Sequence, residues 1–140
     1  MALIGLGSNI DPARHLKAAA RAIRGQYPDA VFSRVYRSRP VGMSGENFLN
    51  ACCRVQTDLD ATAFENWLKS LEQAEGREAS HDPWEPRTLD LDLLMLGGQT
   101  MDEGLLRYAH VCVPAAELVD VISGTACNAD TLHKLPDLTL

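Results

Sequence analysis

Asp90 and Asp92 stand two apart in the stretch Pro86-Arg87-Thr88-Leu89-Asp90-Leu91-Asp92, which runs straight into the apolar Leu93-Leu94-Met95-Leu96. Side chains two apart in a strand point to the same side, so this stretch reads as a strand carrying two carboxylates on one face, about 6 to 7 Å apart. Two like charges that close repel and raise one pKa unless a cation neutralises them. Mg²⁺ suits the pair, since it takes one or two carboxylates and completes its shell with water and substrate phosphate. Arg87 adds a planar fork of the kind that grips phosphate bidentately. The same alternation is also satisfied by two solvent-facing charges on an edge strand.

Other residues carry chemistry of the same kind, each with a plainer alternative. Trp84 sits in a polar loop between Pro83 and Pro86, a setting for a stacking face or gate as well as for core filling. Arg77 and Arg87 flank that loop as phosphate clamps or as exposed ion pairs of little energetic weight. His110 follows Tyr108-Ala109 and is either a ligand contact or a structural histidine. Asn50 lies one residue off an apolar face, beside Phe48, where its amide offers both donor and acceptor to a heterocycle edge. Glu72 falls in a helix, where acids are usually exposed.

The elements that must position these groups follow from local pattern. Ala2 to Leu6 reads as a strand ending in a tight turn at Gly7-Ser8-Asn9. Asp11 is placed to cap a helix with Pro12 in its first turn, with Leu16, Ala20 and Ile23 at helical spacing and Gly25 as its stop. Val31 to Arg37 is a second β-prone stretch, broken at Arg39-Pro40-Val41-Gly42, and a loop runs to about Asn47. Phe48 to Val55 is a third strand, with Leu49, Ala51, Cys53 and Val55 on one face. Asp60 opens a second helix in which Phe64, Trp67, Leu68 and Leu71 recur at helical spacing up to Gly76. Arg77 to Glu85 has no periodicity and is expected to be a mobile surface loop before the Asp-bearing strand. After Gly97-Gly98 the pattern predicts a short strand near Leu105 to Tyr108 and a helix around Ala115 to Val121 begun by Pro114. Beyond Gly124 the signals fade.

This order predicts an α+β fold, a ferredoxin-like split β-α-β sandwich with a mainly antiparallel sheet and helices packed on it. At 140 residues the chain suits one domain over 1–140. Thirteen basic against 19 acidic residues give a net charge of −6, which disfavours general nucleic-acid binding. No segment reaches membrane-span length, and the start lacks a signal-peptide pattern, so a cytoplasmic protein is expected. Four cysteines without zinc spacing point to reduced, partly buried thiols.

With Leu6-Gly7-Ser8-Asn9, Phe48-Leu49-Asn50, and the long signature from Gly76-Arg77 through Trp84, Pro86-Arg87-Thr88 and Asp90-Leu91-Asp92, the chain resembles the 6-hydroxymethyl-7,8-dihydropterin pyrophosphokinases of folate biosynthesis over nearly its whole length. The resemblance implies transfer of pyrophosphate from ATP to a reduced pterin, giving AMP and the pterin diphosphate. It implies two Mg²⁺ on Asp90 and Asp92, and Arg77 and Arg87 beside them in the chemistry. Trp84, Arg87, His110 and Glu72 fall at nucleotide positions. Ser38, Val41, Gly42, Phe48 and Asn50 fall at pterin positions. The partners so implied are ATP and the pterin, with no nucleic acid or membrane, and no oligomeric state follows.

The chain departs from the family pattern at several clamps. Ala79 stands where a second basic residue is usual, Pro83 where Arg is common, and Ala116 and Leu118 where a basic and an aromatic residue follow the Pro-His position, here Ala109-His110. Glu85 replaces a common Gly. A charge ~8 Å from a phosphate costs on the order of 2 kcal/mol at an effective dielectric of ~20, so slower turnover or weaker ATP binding is expected. The stretch after Val121 is shorter than in the family. The competing readings are a non-catalytic paralogue that binds pterin or nucleotide and a generic ferredoxin-like interaction module.

Overall fold

Alternation along the first strand builds two unlike surfaces from one segment. In β1 (Ala2–Ser8), Ala2, Ile4 and Leu6 point to one side of the sheet and Leu3, Gly5 and Gly7 to the other. The computed structural model describes residues 1–38, 48–75, 89–119 and 132–140. Around β1 the elements run α1 (Pro12–Gln26), β2 (Val31–Phe32), β3 (Tyr36–Ser38), β4 (Phe48–Val55), α2 (Ala61–Ala74), β5 (Asp90–Leu96), β6 (Gln99–Thr100), α3 (Gly104–Arg107), α4 (Ala109–Ala116) and β7 (His133–Lys134). The sheet order is β6-β5-β1-β4-β3-β7, with β2 also on β4, and every pairing is antiparallel. Both long crossovers skip one strand, so α1 and α2 pack on the same face, as the split β-α-β expectation requires.

That face is dry. Ile4, Leu6, Ala51, Cys53, Val55, Leu91 and Leu93 meet Leu16, Ile23, Phe64 and Leu68 in one buried cluster. Trp67 is half-buried against Tyr27 and Phe64, edge-on to both rings. The predicted cap at Asp60 forms, its carboxylate accepting from Ala63 N at 2.8 Å. The one at Asp11 does not. Asp11 adopts a left-handed backbone with no capping bond, and its carboxylate turns to Arg14 instead.

Among the described residues, α3 and α4 cover part of the second face. Leu3, Cys52, Leu94 and Met95 pack under Leu105, Ala115 and Leu118 of the α3–α4 region. Glu117 locks this cover down, accepting from the Tyr36 hydroxyl and from Arg34 N. Burial, and then that bond, push the Tyr36 hydroxyl up to about 12.

Several expectations need correction. The first strand continues through Gly7 and Ser8, because both pair with β4 instead of turning. The Val31 to Arg37 stretch splits into β2 and β3, since Ser33 uses its hydroxyl to accept from Cys52 N. Leu105 to Tyr108 is no strand. Asp102 accepts from Gly104 N at 2.8 Å and starts the helical turn α3. The next helix is Ala109–Ala116, with Pro114 inside it, so the start expected at Pro114 is displaced. Burial of Cys112, Pro114 and Ala115 on the sheet holds that helix in place, and a proline so near its end removes only one intrahelical bond. Cys52 and Cys53 are buried free thiols as expected, whereas Cys112 is disulfide-bonded. At the end of the chain, β7 pairs with β3 and the Leu140 carbonyl accepts from Arg24, contacts that no local pattern announces.

Candidate active site

The end of the second face beyond α3 and α4 gathers the residues with chemistry. Gly7 lies between Asn50 on β4 and Asp90 on β5, and Gly5 lies between Cys52 and Asp92. Directly paired residues on neighbouring strands project to the same face. Asn50 on one side and Asp90 with Asp92 on the other therefore flank a central strand with glycine at positions 5 and 7, while Cys52 belongs to the apolar cluster under α3 and α4. Leu94 lies over Gly5, where a Cβ would stand 3.2 Å from its Cδ1, and Asn50 Oδ1 lies over Gly7, 3.3 Å from where a Cβ would stand.

On the β5 side, Asp90 and Asp92 face the same way, close enough to hydrogen-bond one another. Asp92 is open to solvent yet closely surrounded by protein, and its carboxyl is pushed up to about 8. Desolvation is the main cause, followed by the charges of Asp90, Asp102 and Glu72 and by the Asp90 bond. Glu72 is no surface acid. It is 6% exposed, and its carboxylate accepts from Leu91 N at 3.2 Å, the backbone amide between the two aspartates. The second helix thereby holds the strand edge from which the pair projects.

Among the described residues no three acidic, histidine or cysteine side chains converge on one point as a closed metal cage. Mg²⁺ does not require one. Two carboxylates with a raised affinity for positive charge, and only oxygen donors, fit an ion that completes its shell with water and phosphate.

On the β4 side, Asn50 is buried and donates from Nδ2 to Ser38 Oγ at 2.7 Å. Phe48 pairs with Ser38 and is half-buried on the same side as Asn50. His110, at the start of α4, stacks on the exposed Tyr108 ring with centroids 5.4 Å apart. Burial holds its imidazole below the usual histidine range, so it is neutral near pH 7. Leu118 is a core residue of this face, and Ala116 is exposed. Arg77, Trp84, Arg87, Val41 and Gly42 lie outside the described residues, as do Ala79, Pro83 and Glu85.

Pattern reading alone missed two contributors. Asp102 adds charge to the Asp92 field while accepting from Gly104 N, and only the fold brings it there. The close approach of Leu94 and Asn50 over β1 did have a signal, glycine at alternate positions 5 and 7 of an otherwise apolar strand.

A sequence profile of the 7,8-dihydro-6-hydroxymethylpterin-pyrophosphokinase (HPPK) family matches residues 3–120. The chain is similar to several proteins that bear the name 2-amino-4-hydroxy-6-hydroxymethyldihydropteridine pyrophosphokinase. The Methylorubrum extorquens protein is 34% identical over 147 aligned positions, covering 96% of this chain and 92% of that one. The Haemophilus influenzae protein is 32% identical over 125, covering 86% and 77%. The Synechocystis protein is 31% identical over 128, covering 84% of this chain, which spans 65% of that relative's length. Joined to an all-antiparallel split β-α-β sheet with a carboxylate pair on β5, these matches establish that the chain belongs to the HPPK family.

Proposed function

We propose that this chain, as one catalytic domain, performs the family's reaction. The hydroxymethyl oxygen of 6-hydroxymethyl-7,8-dihydropterin bonds to the β-phosphorus of ATP while the bond from that phosphorus to the α,β-bridging oxygen breaks. AMP leaves with the bridging oxygen, and the pterin diphosphate carries the β,γ unit. The alcohol proton is released. The observation that carries this reading is the Asp90–Asp92 pair, aligned on one face of β5 opposite the Asn50 amide of β4, across a strand with glycine at the paired positions.

Each described residue has a task in that reaction. Asn50 reads the pterin edge and Phe48 offers it a ring face. Glu72 fixes the backbone between the aspartates. His110, neutral and stacked on Tyr108, lines the nucleotide side. Ser38, with Val41 and Gly42, completes the pterin side. Arg77, Arg87 and Trp84 are assigned to the triphosphate and nucleotide by the resemblance. Asp90 and Asp92 would hold Mg²⁺, two ions by the same resemblance, which when bound would neutralise phosphate charge and draw electrons from the β-phosphorus. Positioning and electrostatics then supply most of the rate, with no strong base required. No helix among the described residues is long and apolar enough to cross a membrane, and we place the reaction in the cytoplasm.

The test is direct. Purified protein given MgATP and hydroxymethyl-dihydropterin should form AMP and pterin diphosphate in equal amounts. A sample that binds pterin but makes no AMP above background would support the non-catalytic paralogue, the reading favoured by a core leucine at position 118 and an alanine at position 116.

A further inference from the structure

Glu117 is exposed at the end of α4, yet both oxygens of its carboxylate are taken up by protein. Oε1 accepts from Arg34 N at 3.1 Å, and Oε2 accepts from the Tyr36 hydroxyl. The strand register explains why a backbone amide is available there. Phe32 pairs with Cys53 and Tyr36 with Asn50, so the chain takes four steps between β2 and β3 while β4 takes three. One extra residue on one strand is a β-bulge, which interrupts the ladder of backbone bonds. Arg34 lies in that bulge, and Glu117 supplies its amide with an acceptor from outside the sheet.

The bulge decides which way β3 faces. Phe32 and Val35 pack in the cluster under α1 and α2, whereas Tyr36 and Ser38 stand on the second face beside Asn50 and Phe48. With equal counts on the two strands, every side chain of β3 would turn to the other face. Ser38 Oγ, which accepts from Asn50 Nδ2 at 2.7 Å, therefore owes its place to the extra residue. Glu117 is also a link from β3 to α4, whose first turn carries His110 about two turns away. Arg54 Nη1 separately ties the end of α4 to β4, donating to Leu118 O at 2.5 Å. The helix thus keeps a tie to β4 when Glu117 is removed, and the loss falls on β3.

We propose that Glu117 is a positioning residue for the reaction, holding the bulge between β2 and β3 through Arg34 N and the Tyr36 hydroxyl and so keeping Ser38 and Asn50 in place for the pterin. The inference rests on the functional reading above and adds to it a residue that acts through its neighbours.

Glu117→Ala, Glu117→Gln, Tyr36→Phe and the double variant Glu117→Ala with Tyr36→Phe test this in the full chain, with kcat and KM for each substrate, pterin affinity by fluorescence titration, and Tm. A purely structural tie predicts a lower Tm with the kinetics of the folded protein intact. The proposal predicts kcat/KM for pterin lowered about tenfold or more in Glu117→Ala, because small misplacements are costly in rate, while KM for MgATP stays within about twofold. Tyr36→Phe should show a smaller loss of the same kind, and the double variant should lose no more than Glu117→Ala alone, since both break one link. Glu117→Gln, which keeps the reach and one acceptor oxygen, should recover part of the activity. Should Glu117→Ala fail to fold, Tyr36→Phe decides. In an enzyme that makes AMP, the inference is overturned and the function left standing by kcat/KM for pterin within about twofold of wild type, by a loss shared equally with MgATP, or by losses that multiply in the double variant. A wild type that makes no AMP overturns the function, and pterin affinity then decides the inference. Weaker pterin binding in the deciding variant than in wild type supports it, and equal affinities overturn both.

Discussion

The two faces of β1, β4 and β5 are made by the same strands and differ in kind. Toward α1 and α2, Ala2, Ile4 and Leu6 of β1 pack among aliphatic residues and Phe64. Toward the other side, beyond the patch under α4, β1 has glycine at positions 5 and 7, and the neighbouring strands present an amide and two carboxylates. The first face stabilises the fold by removing apolar area from water. The second gives up such burial and concentrates negative charge instead. Period-two alternation lets one strand serve both purposes, since what is changed on one face leaves the other untouched.

Substitutions on the two faces should therefore separate cleanly. The largest effect is expected from Asp92→Ala, which should lower turnover by about a thousandfold or more while Tm of the metal-free protein holds or rises, because a repelled carboxylate is removed. Normal activity in that variant would sink the metal assignment. On the opposite face, Phe64→Ala should cost about 3 to 5 kcal/mol in denaturant unfolding with KM values unchanged in the folded fraction. A KM shift there would show that the faces are coupled.

A smaller effect concerns pH. Asp92 keeps its proton in the fold up to about 8, whereas in the unfolded chain it loses it near 3.8. Between those values the folded state binds the extra proton, so this group's contribution to stability is full at low pH and is lost as pH rises through about 8. Thermal melts of metal-free protein should show that decline, Asp92→Asn should flatten it, and MgATP should restore stability most at the alkaline end. Identical slopes in wild type and Asp92→Asn would break the contrast between a charged face and a dry one.

Much of the fold was legible because its signals are local. The apolar rows at Leu16, Ala20 and Ile23 and at Phe64, Leu68 and Leu71, the Asp60 cap, and the alternation of Phe48 to Val55 each express a short-range period that packing then rewarded. The segments from Leu105 to Ala116 were misread because burial on the sheet, with the Asp102 bond to Gly104 N, overrode a weak local pattern. Gly7 read as a turn residue for a related reason. A glycine says that a side chain is absent, and only strand pairing says what stands beside the gap.

By itself the sequence determined α1, β4, α2 and β5 and the common face of Asp90 and Asp92, for each depends on spacing within a few residues. Tertiary structure decided that Glu72 meets the Leu91 amide, that Asp102 joins the field at Asp92, and that Gly7 separates Asn50 from Asp90. Those placements depend on register between strands far apart in the chain. Register is chosen by burial of a whole face at once, so no local window of residues contains it.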